Sequence, residues 1–118
     1  MDATLIEDGN YYLVKYTGVR TFPKIIAMLE EVRGNAEATG VFRYLFDLRE
    51  SEEGFSVFDK YNLGIYLADM FGKVYTVAVV IRKEHITGFL ENVSINRGAA
   101  RFIITDDEAA ARAFVSNP

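Results

Sequence analysis

Short apolar segments with the two-residue period of strands alternate along this chain with segments that have the period of amphipathic helices. The chain opens with two strands, predicted over residues 4–7 and 11–17, on either side of a turn at residues 8–10. Gly9 in that turn supplies the positive φ that a tight reversal needs. Alternation divides the second strand between two faces, with Tyr12, Val14 and Tyr16 on one and Leu13 and Lys15 on the other. This opening predicts an antiparallel hairpin.

An amphipathic helix is predicted directly after the hairpin. Thr21 is a suitable N-cap, and Pro23 is tolerated in the first turn of a helix. We expect Gly34 to end this helix, residues 37–40 to form a linker and residues 42–48 to form the third strand. The apolar stripe of the helix consists of Phe22, Ile25, Ile26, Leu29 and Val32.

The second helix and the fourth strand are the clearest elements. The helix is predicted from about residue 57 to residue 71, with Gly72 directly after it. Residues 74–81 form the fourth strand, which is rich in valine and apolar almost without interruption. Such a strand suits the centre of a parallel sheet, where helices cover both faces.

The last part of the chain continues the alternation. A third helix is predicted from near Glu84 to residues 96–98, and a last strand over residues 101–104. Thr105 and Glu108 have the spacing of a capping box, which would open a final helix. The apolar residues of these helices are Ile86, Phe89, Leu90 and Val93 in the third and Ala109, Ala113 and Phe114 in the final one.

The order ββαβαβαβα predicts an α/β fold. Strands that alternate with helices form a mostly parallel sheet with right-handed crossovers, and the opening hairpin makes that sheet mixed. Helices must cover the sheet, because the fourth strand has no polar side. At 118 residues the chain has the length of one domain and can bury a core, so we expect a single domain over residues 1–118.

Composition and charge exclude several kinds of function. The net charge of −4 argues against a general nucleic-acid-binding protein, which needs a basic face. The absence of cysteine excludes a disulfide scaffold, a thiolate nucleophile and a thiolate metal site. No apolar run approaches the ~20 residues that span a bilayer, and the first residues lack the basic region of a secretion signal. We expect a soluble, cytoplasmic domain without a membrane span.

The sequence predicts no catalytic residue, metal site or cofactor. Neither Ser51 nor Ser94 lies in a recognisable nucleophile motif, and no phosphate-binding glycine loop occurs. A metal site would need more nitrogen or sulfur ligands than this chain contains. The acidic residues Glu50, Glu52 and Glu53 are expected to lie in a solvated loop.

A few residues could still contact a ligand at the predicted carboxyl edge of the sheet. Asp47 could orient a ligand there, or it could bond loop N–H groups. His85, with Arg82 nearby, could bind an anion or act as an acid or base, although a lone histidine at a helix start is more often solvated. Ser56 could be a phosphosite or a ligand contact, but an N-cap assisted by Asp59 is the favoured interpretation.

The second helix carries two apolar stripes. The first consists of Leu63, Tyr66, Leu67 and Met70 and is sufficient to dock the helix on the sheet. The second consists of Phe58, Tyr61, Ile65 and Ala68, with Phe55 and Val57 just before it. A helix that is apolar over so much of its circumference should cover something besides its own sheet. The loop predicted over residues 49–56 could fold back over the second stripe, or a partner, a second copy or a ligand could cover it.

The third strand and the second helix resemble the STAS domain family (sulfate transporter and anti-sigma-factor antagonist), and within it the SpoIIAA-like branch. The similar features are the hairpin start, the apolar strand that ends in Asp47 and the helix start at residues 59–64, Asp-Lys-Tyr-Asn-Leu-Gly. Signalling members have Asp-Ser-Ser-Gly-Leu-Gly there, with the second serine as phosphate acceptor. Lys60 and Tyr61 stand where the serines would be. The resemblance therefore implies the STAS fold without the usual phosphoacceptor serine.

Two functions stay open, and an enzyme that uses His85 ranks below both. The leading hypothesis is a non-catalytic regulatory domain that contacts a protein partner, or a second copy, through the second helix. The resemblance implies this contact, because the same region of anti-sigma-factor antagonists meets the partner kinase. The alternative is a binding module for a small apolar or amphipathic ligand. Its pocket would be roofed by Phe55, Phe58, Tyr61 and Ile65 and rimmed by Asp47, Arg82 and His85.

Overall fold

The computed structural model describes residues 3–86 and 101–117, which contain five strands and three helices. The strands are β1 (Ala3–Asp8), β2 (Tyr11–Arg20), β3 (Arg43–Glu53), β4 (Thr76–Val80) and β5 (Phe102–Thr105). The helices are α1 (Phe22–Thr39), α2 (Val57–Phe71) and α3 (Glu108–Ser116), and a short 3-10 turn spans Lys83–His85. None of the helices within these two ranges is long and apolar enough to cross a membrane.

The strands form one mixed sheet in the order β1-β2-β3-β4-β5. β1 and β2 pair antiparallel across a turn in which Gly9 has a φ of 70°. The other neighbouring strands pair parallel. The sheet confirms the predicted α/β fold, with mostly parallel strands and an N-terminal hairpin.

Both faces of the sheet are covered, as the apolar fourth strand predicted. On one face, Phe46 and Val79 belong to a buried cluster that includes the inner sides of α1 and α2. On the other face, Ala78 and Val80 pack with Val115 of α3. Every residue of β4 is buried because successive side chains of a strand enter the two cores in turn.

α1 is longer than predicted. The expectation that Gly34 ends this helix and that residues 37–40 form a linker is wrong, because the helix continues to Thr39. It ends at Gly40, whose φ of 74° is the left-handed conformation that glycine adopts easily. Ala36, beyond the predicted end, is fully buried. Packing of the additional turn therefore outweighs the cost of about 1 kcal/mol that a glycine imposes on a helix interior.

β3 also extends beyond its predicted end. The loop expected over residues 49–56, with Glu50, Glu52 and Glu53 as solvated loop residues, is wrong, since the strand continues to Glu53. Residues 50–53 pair in register with residues 17–20 of β2, after a bulge that places one extra residue in β3. Backbone pairing with β2, and not an alternation of apolar residues, holds this extension in the strand conformation. It brings the end of β2 next to the residues that precede α2.

The C-terminal part agrees with the prediction in its strand and final helix. The predicted third helix lies mostly outside the described residues, and the described start of that segment is the 3-10 turn at Lys83–His85. The N-cap of α3 is Asp107, whose carboxylate accepts a hydrogen bond from the backbone N–H of Ala110 at 3.1 Å. The capping box predicted for Thr105 and Glu108 is therefore wrong. Glu108 instead forms ion pairs with two arginines.

Candidate functional site

A small cavity lies between the sheet and the inner sides of α1 and α2. Its volume is about 110 Å³, and its wall is mostly apolar. Side chains from both helices and from four strands contribute, among them Leu29, Phe46, Leu63, Leu67, Val79 and Ile104. We call it the α1–α2 cavity.

The polar residues of the α1–α2 cavity all come from the carboxyl edge of the parallel strands. Arg20 ends β2, Glu53 ends β3 and His85 follows β4. Lys60, in the first turns of α2, completes the group. Open α/β sheets place their ligand sites at this edge. The cavity therefore has an apolar interior and a charged mouth.

Arg20 is the most deeply buried charge in the described part of the chain, with 2% of its surface exposed. Its Nη1 donates to the hydroxyl of Ser51, which in turn donates to the carbonyl of Leu48. Burial lowers the pKa of Arg20, and the nearby Glu53 carboxylate partly offsets this. A guanidinium has five N–H donors. Among the described residues, the guanidinium of Arg20 makes one hydrogen bond, to Ser51.

Close backbone contact fixes the position of Arg20. The N–H of Gly54 donates to the carbonyl of Arg20 at 2.9 Å. A Cβ at residue 54 would lie 2.7 Å from Cγ1 of Val19 and 2.9 Å from the Arg20 carbonyl oxygen. Only glycine fits there, so residue 54 allows the end of β3 to close against the end of β2.

His85 lies at the same mouth, next to Arg82. Nη2 of Arg82 donates to the carbonyl of Ser51 at 3.3 Å and approaches Nε2 of His85 at 3.3 Å. Because a guanidinium can only donate, we assign Nε2 as the acceptor in this contact, which places a ring proton on Nδ1. Nδ1 is buried and has no hydrogen-bond partner among the described residues.

Two ion pairs flank the mouth of the α1–α2 cavity. Nζ of Lys60 lies 2.7 Å from a carboxylate oxygen of Glu53. Nη2 of Arg82 lies 2.9 Å from a carboxylate oxygen of Glu52. Glu52 and Glu53, which were predicted to lie in a loop, thus come from the extended β3, and each binds a cation from another element.

Ser56 and Asp59 cap the N-terminus of α2. The backbone N–H of Asp59 donates to the Ser56 hydroxyl at 3.0 Å, and the backbone N–H of Ser56 donates to the Asp59 carboxylate at 3.1 Å. This is the reciprocal capping box, which satisfies two N–H groups that a helix start leaves unpaired. The structure thus places both side chains in the cap that the sequence favoured.

Asp47 lies on the opposite face of the sheet from the α1–α2 cavity. Its carboxylate accepts hydrogen bonds from the side chain of Arg49 at 2.9 and 3.0 Å and from the Arg49 backbone N–H at 3.2 Å. Arg49 also pairs with Glu108 of α3. Burial by itself would raise the pKa of Asp47, but the hydrogen bonds from Arg49 outweigh it and the pKa is lowered. Asp47 therefore helps to attach α3 to the sheet.

Comparison with known proteins supports the fold of the chain. A similar solved structure is that of an uncharacterised protein of the DUF3478 family with a SpoIIAA-like fold, from Shewanella loihica PV-4. The match has a TM-score of 0.56 and covers 96% of this chain and 91% of that chain, at 17% sequence identity. The chain has a SpoIIAA-like fold. This confirms the fold that the sequence resemblance implied. No protein-family model and no curated protein matches the chain.

In this SpoIIAA-like fold the start of α2 presents apolar side chains outward. Val57 is 74% exposed, Phe58 73% and Tyr61 39%. We call these three residues the α2 apolar patch. Ile65, further along, is half-buried in a shallow depression beside Phe22.

The structure separates the sequence-predicted site residues into groups. Phe55 and His85 line the α1–α2 cavity, and Arg82 touches His85. The remaining predicted residues lie in the α2 cap, in the depression beside α1, in the α2 apolar patch or on the other sheet face, as described above.

Sequence reasoning missed Arg20, Ser51 and Lys60 as parts of the site. Arg20 and Ser51 come together only because β2 and β3 pair beyond their predicted ends. One signal was available, because the short interval between the predicted end of β2 and the cap at Thr21 leaves little room for a loop. No feature of the sequence pattern predicts the ion pair between Lys60 and Glu53.

Proposed function

We propose that this domain is a non-catalytic binding module for a small, largely apolar ligand held in the α1–α2 cavity. The observation that carries this proposal is the apolar cavity at the carboxyl edge of the sheet, with a few polar groups collected at its mouth. Ligand sites are commonly concave and mostly apolar, with a small number of placed polar groups. The volume of about 110 Å³ restricts the buried part of the ligand to a short chain or a small ring.

The surroundings of His85 support a binding role rather than catalysis. Among the described residues its ring contacts the guanidinium of Arg82 and no nucleophile. Nucleophilic catalysis needs a nucleophile and a base within hydrogen-bond reach of each other. His85 is therefore better suited to contact a bound ligand than to activate one.

Titration with 1-hexanol, followed by NMR, tests the binding function. We expect saturable shifts for the protein as it is, and their loss in Val79→Phe, whose ring would fill the cavity. Val74→Phe adds the same volume at a position that is exposed in the turn after α2 and should bind like the parent. Val79→Leu is a milder alternative if Val79→Phe does not fold. Equal binding by folded Val79 and Val74 variants would contradict the proposal.

A second candidate function is protein interaction through the α2 apolar patch. The observation that favours it is the exposure of Val57 and Phe58 in a helix whose start is held in place by a capping box. Adjacent exposed apolar side chains at a fixed position are typical of contact surfaces. A second copy of this chain is the partner we propose for it.

A further inference from the structure

The uncompensated polar groups at the mouth of the α1–α2 cavity define the chemistry of the ligand. We infer that this cavity takes an amphipathic anion, with a short apolar tail inside and a carboxylate or phosphate head at Arg20 and His85. This inference rests on the proposed binding function and adds the head group to it. It follows from three features of the mouth.

The first feature is the buried guanidinium of Arg20. Removing a charge from water is costly unless hydrogen bonds and an opposite charge compensate it. Within the described residues Arg20 has one hydrogen bond, to the neutral hydroxyl of Ser51. An anionic head group would supply further acceptors for this guanidinium and an opposite charge.

The second feature is that the nearest carboxylates are engaged by other cations. Glu53 and Glu52 both act on Arg20 through their charge. However, Glu53 lies 2.7 Å from Lys60, and Glu52 lies 2.9 Å from Arg82. Both acids are at the surface, where solvent weakens their effect. The charge of Arg20 is therefore only partly balanced from within the chain.

The third feature is the buried N–H of His85. With Nε2 accepting from Arg82, Nδ1 carries the proton and has no partner among the described residues. Leaving a buried donor without a partner is costly, because its hydration is lost and nothing replaces it. Ser51 connects the two donors, because its hydroxyl binds Arg20 and its carbonyl binds Arg82, which positions His85. An oxyanion that bridges Arg20 and His85 would satisfy both.

The tail direction follows from the lining of the cavity. Apart from the polar residues at the mouth, the wall consists mainly of apolar side chains from β3, β4, β5, α1 and α2, including Phe46, Val79 and Leu63. A straight apolar chain with an anion at one end matches this distribution. A neutral chain of equal length would fill the interior but leave the mouth groups unpaired.

Calorimetric titration with hexanoate, hexyl phosphate and 1-hexanol at constant ionic strength tests the inference. A hydrogen bond to a charged group corresponds to roughly a tenfold or greater change in affinity. We expect at least one of the two anions to bind about tenfold or more tightly than 1-hexanol, and the better of the two identifies the head group. Arg20→Met should remove this difference in affinity between the anion and 1-hexanol.

The controls separate head-group recognition from folding and from general charge. Lys73→Met removes an exposed cation outside the cavity and should keep the preference for the anion. Arg20→Lys should keep part of it. If Arg20→Met does not fold, His85→Leu removes the Nδ1 donor and should reduce the preference.

The outcomes distinguish this inference from the proposed function. If all three compounds bind with equal affinity, the anionic head group is wrong and the apolar binding function stands. If none of them binds, both are wrong. If the anion preference persists in both Arg20→Met and His85→Leu, the head group lies elsewhere and the assignment to these two residues is overturned.

Discussion

At the scale of single residues, buried polar side chains depend on one or two well-placed partners. Ser51 has this role at the mouth of the α1–α2 cavity, where its hydroxyl and carbonyl contact Arg20 and Arg82. Arg49 has it on the other face, where it holds Asp47 and reaches Glu108. The sequence showed Asp47 as an acid at the end of a strand but could not show which core lies on its side, because Leu45 and Phe46 make both faces of that strand apolar.

The stability that Arg49 contributes should depend on pH in a defined way. The folded protein has a lowered pKa for Asp47, so the contribution of this carboxylate is present above its unfolded pKa of about 3.9 and is lost as the pH falls through the folded pKa. We expect Arg49→Met to lower the free energy of unfolding at pH 7 by about 1–3 kcal/mol. The lower part of that range is expected because Arg49 is 40% exposed and water can replace it.

Denaturant unfolding from pH 7 to pH 2.5 measures this effect. The difference between the parent and Arg49→Met should shrink toward acid, as Asp47 becomes protonated in both. Arg33→Met removes one partner of an exposed pair with Glu30, 3.9 Å apart, and should change stability by less than about 1 kcal/mol. If the difference in free energy of unfolding between the parent and Arg49→Met is independent of pH, the ionisation of Asp47 does not depend on Arg49.

At the scale of elements, local signals define α2 completely but β3 only in part. α2 was predicted with the observed bounds because Ser56, Asp59 and Gly72 mark its ends. β3 continues through polar residues whose strand conformation comes from pairing with β2, which no local pattern reports. α1 likewise passes Gly34 because the turn beyond it is packed against the core. β3 and α1 were therefore predicted too short, whereas β4, predicted over residues 74–81, spans only Thr76–Val80.

The α2 cap should contribute measurably to stability. Ser56→Ala removes the acceptor for the Asp59 N–H and should lower the free energy of unfolding by about 1 kcal/mol. Ser56→Asp keeps an acceptor at the same place and should stay close to the parent. Chemical denaturation of the two variants is the measurement. A loss of equal size in both would mean that the hydroxyl of Ser56 has a role other than capping.

The two faces of β4 should respond differently to added volume. Val79 points to the α1–α2 cavity, whereas Val80 points to the closely packed face under α3. Val79→Leu should be neutral or stabilising, because the added methylene enters empty space. Val80→Leu should lose about 1–3 kcal/mol through overpacking. Thermal unfolding of the two variants is the measurement. A similar loss of stability in Val79→Leu and Val80→Leu would argue that the cavity is closed in solution.

At the scale of the whole molecule, the fold brings together groups that are far apart in the chain. The hydrophobic pattern predicted the mixed sheet and its two covered faces, because β4 has apolar residues on both sides. The cavity could not be predicted, since its volume depends on how α1 and α2 sit on the sheet. The mouth combines the ends of β2 and β3 with the turn after β4, and the sequence placed only His85 and Arg82 there.

The α2 apolar patch makes a prediction about assembly. Phe58→Glu places a charge on a side chain that is 73% exposed, so it should leave the melting temperature nearly unchanged. If a second copy binds this patch, the same change should abolish the dimer seen by sedimentation velocity. Val74→Glu, an exposed position outside the patch, should leave the dimer intact. A parent protein that is monomeric at high concentration would contradict self-association through α2.

Intermolecular NOEs from 1-hexanol are the most direct test of the proposed binding function. We expect contacts between the terminal methyl of the alcohol and the methyl groups of Leu63 and Val79, which line the α1–α2 cavity. We expect no contacts to the exposed methyl groups of Val57 or Val74. Contacts confined to Val57 and Val74, with none to Leu63 or Val79, would contradict the account and show that the alcohol binds only at the surface.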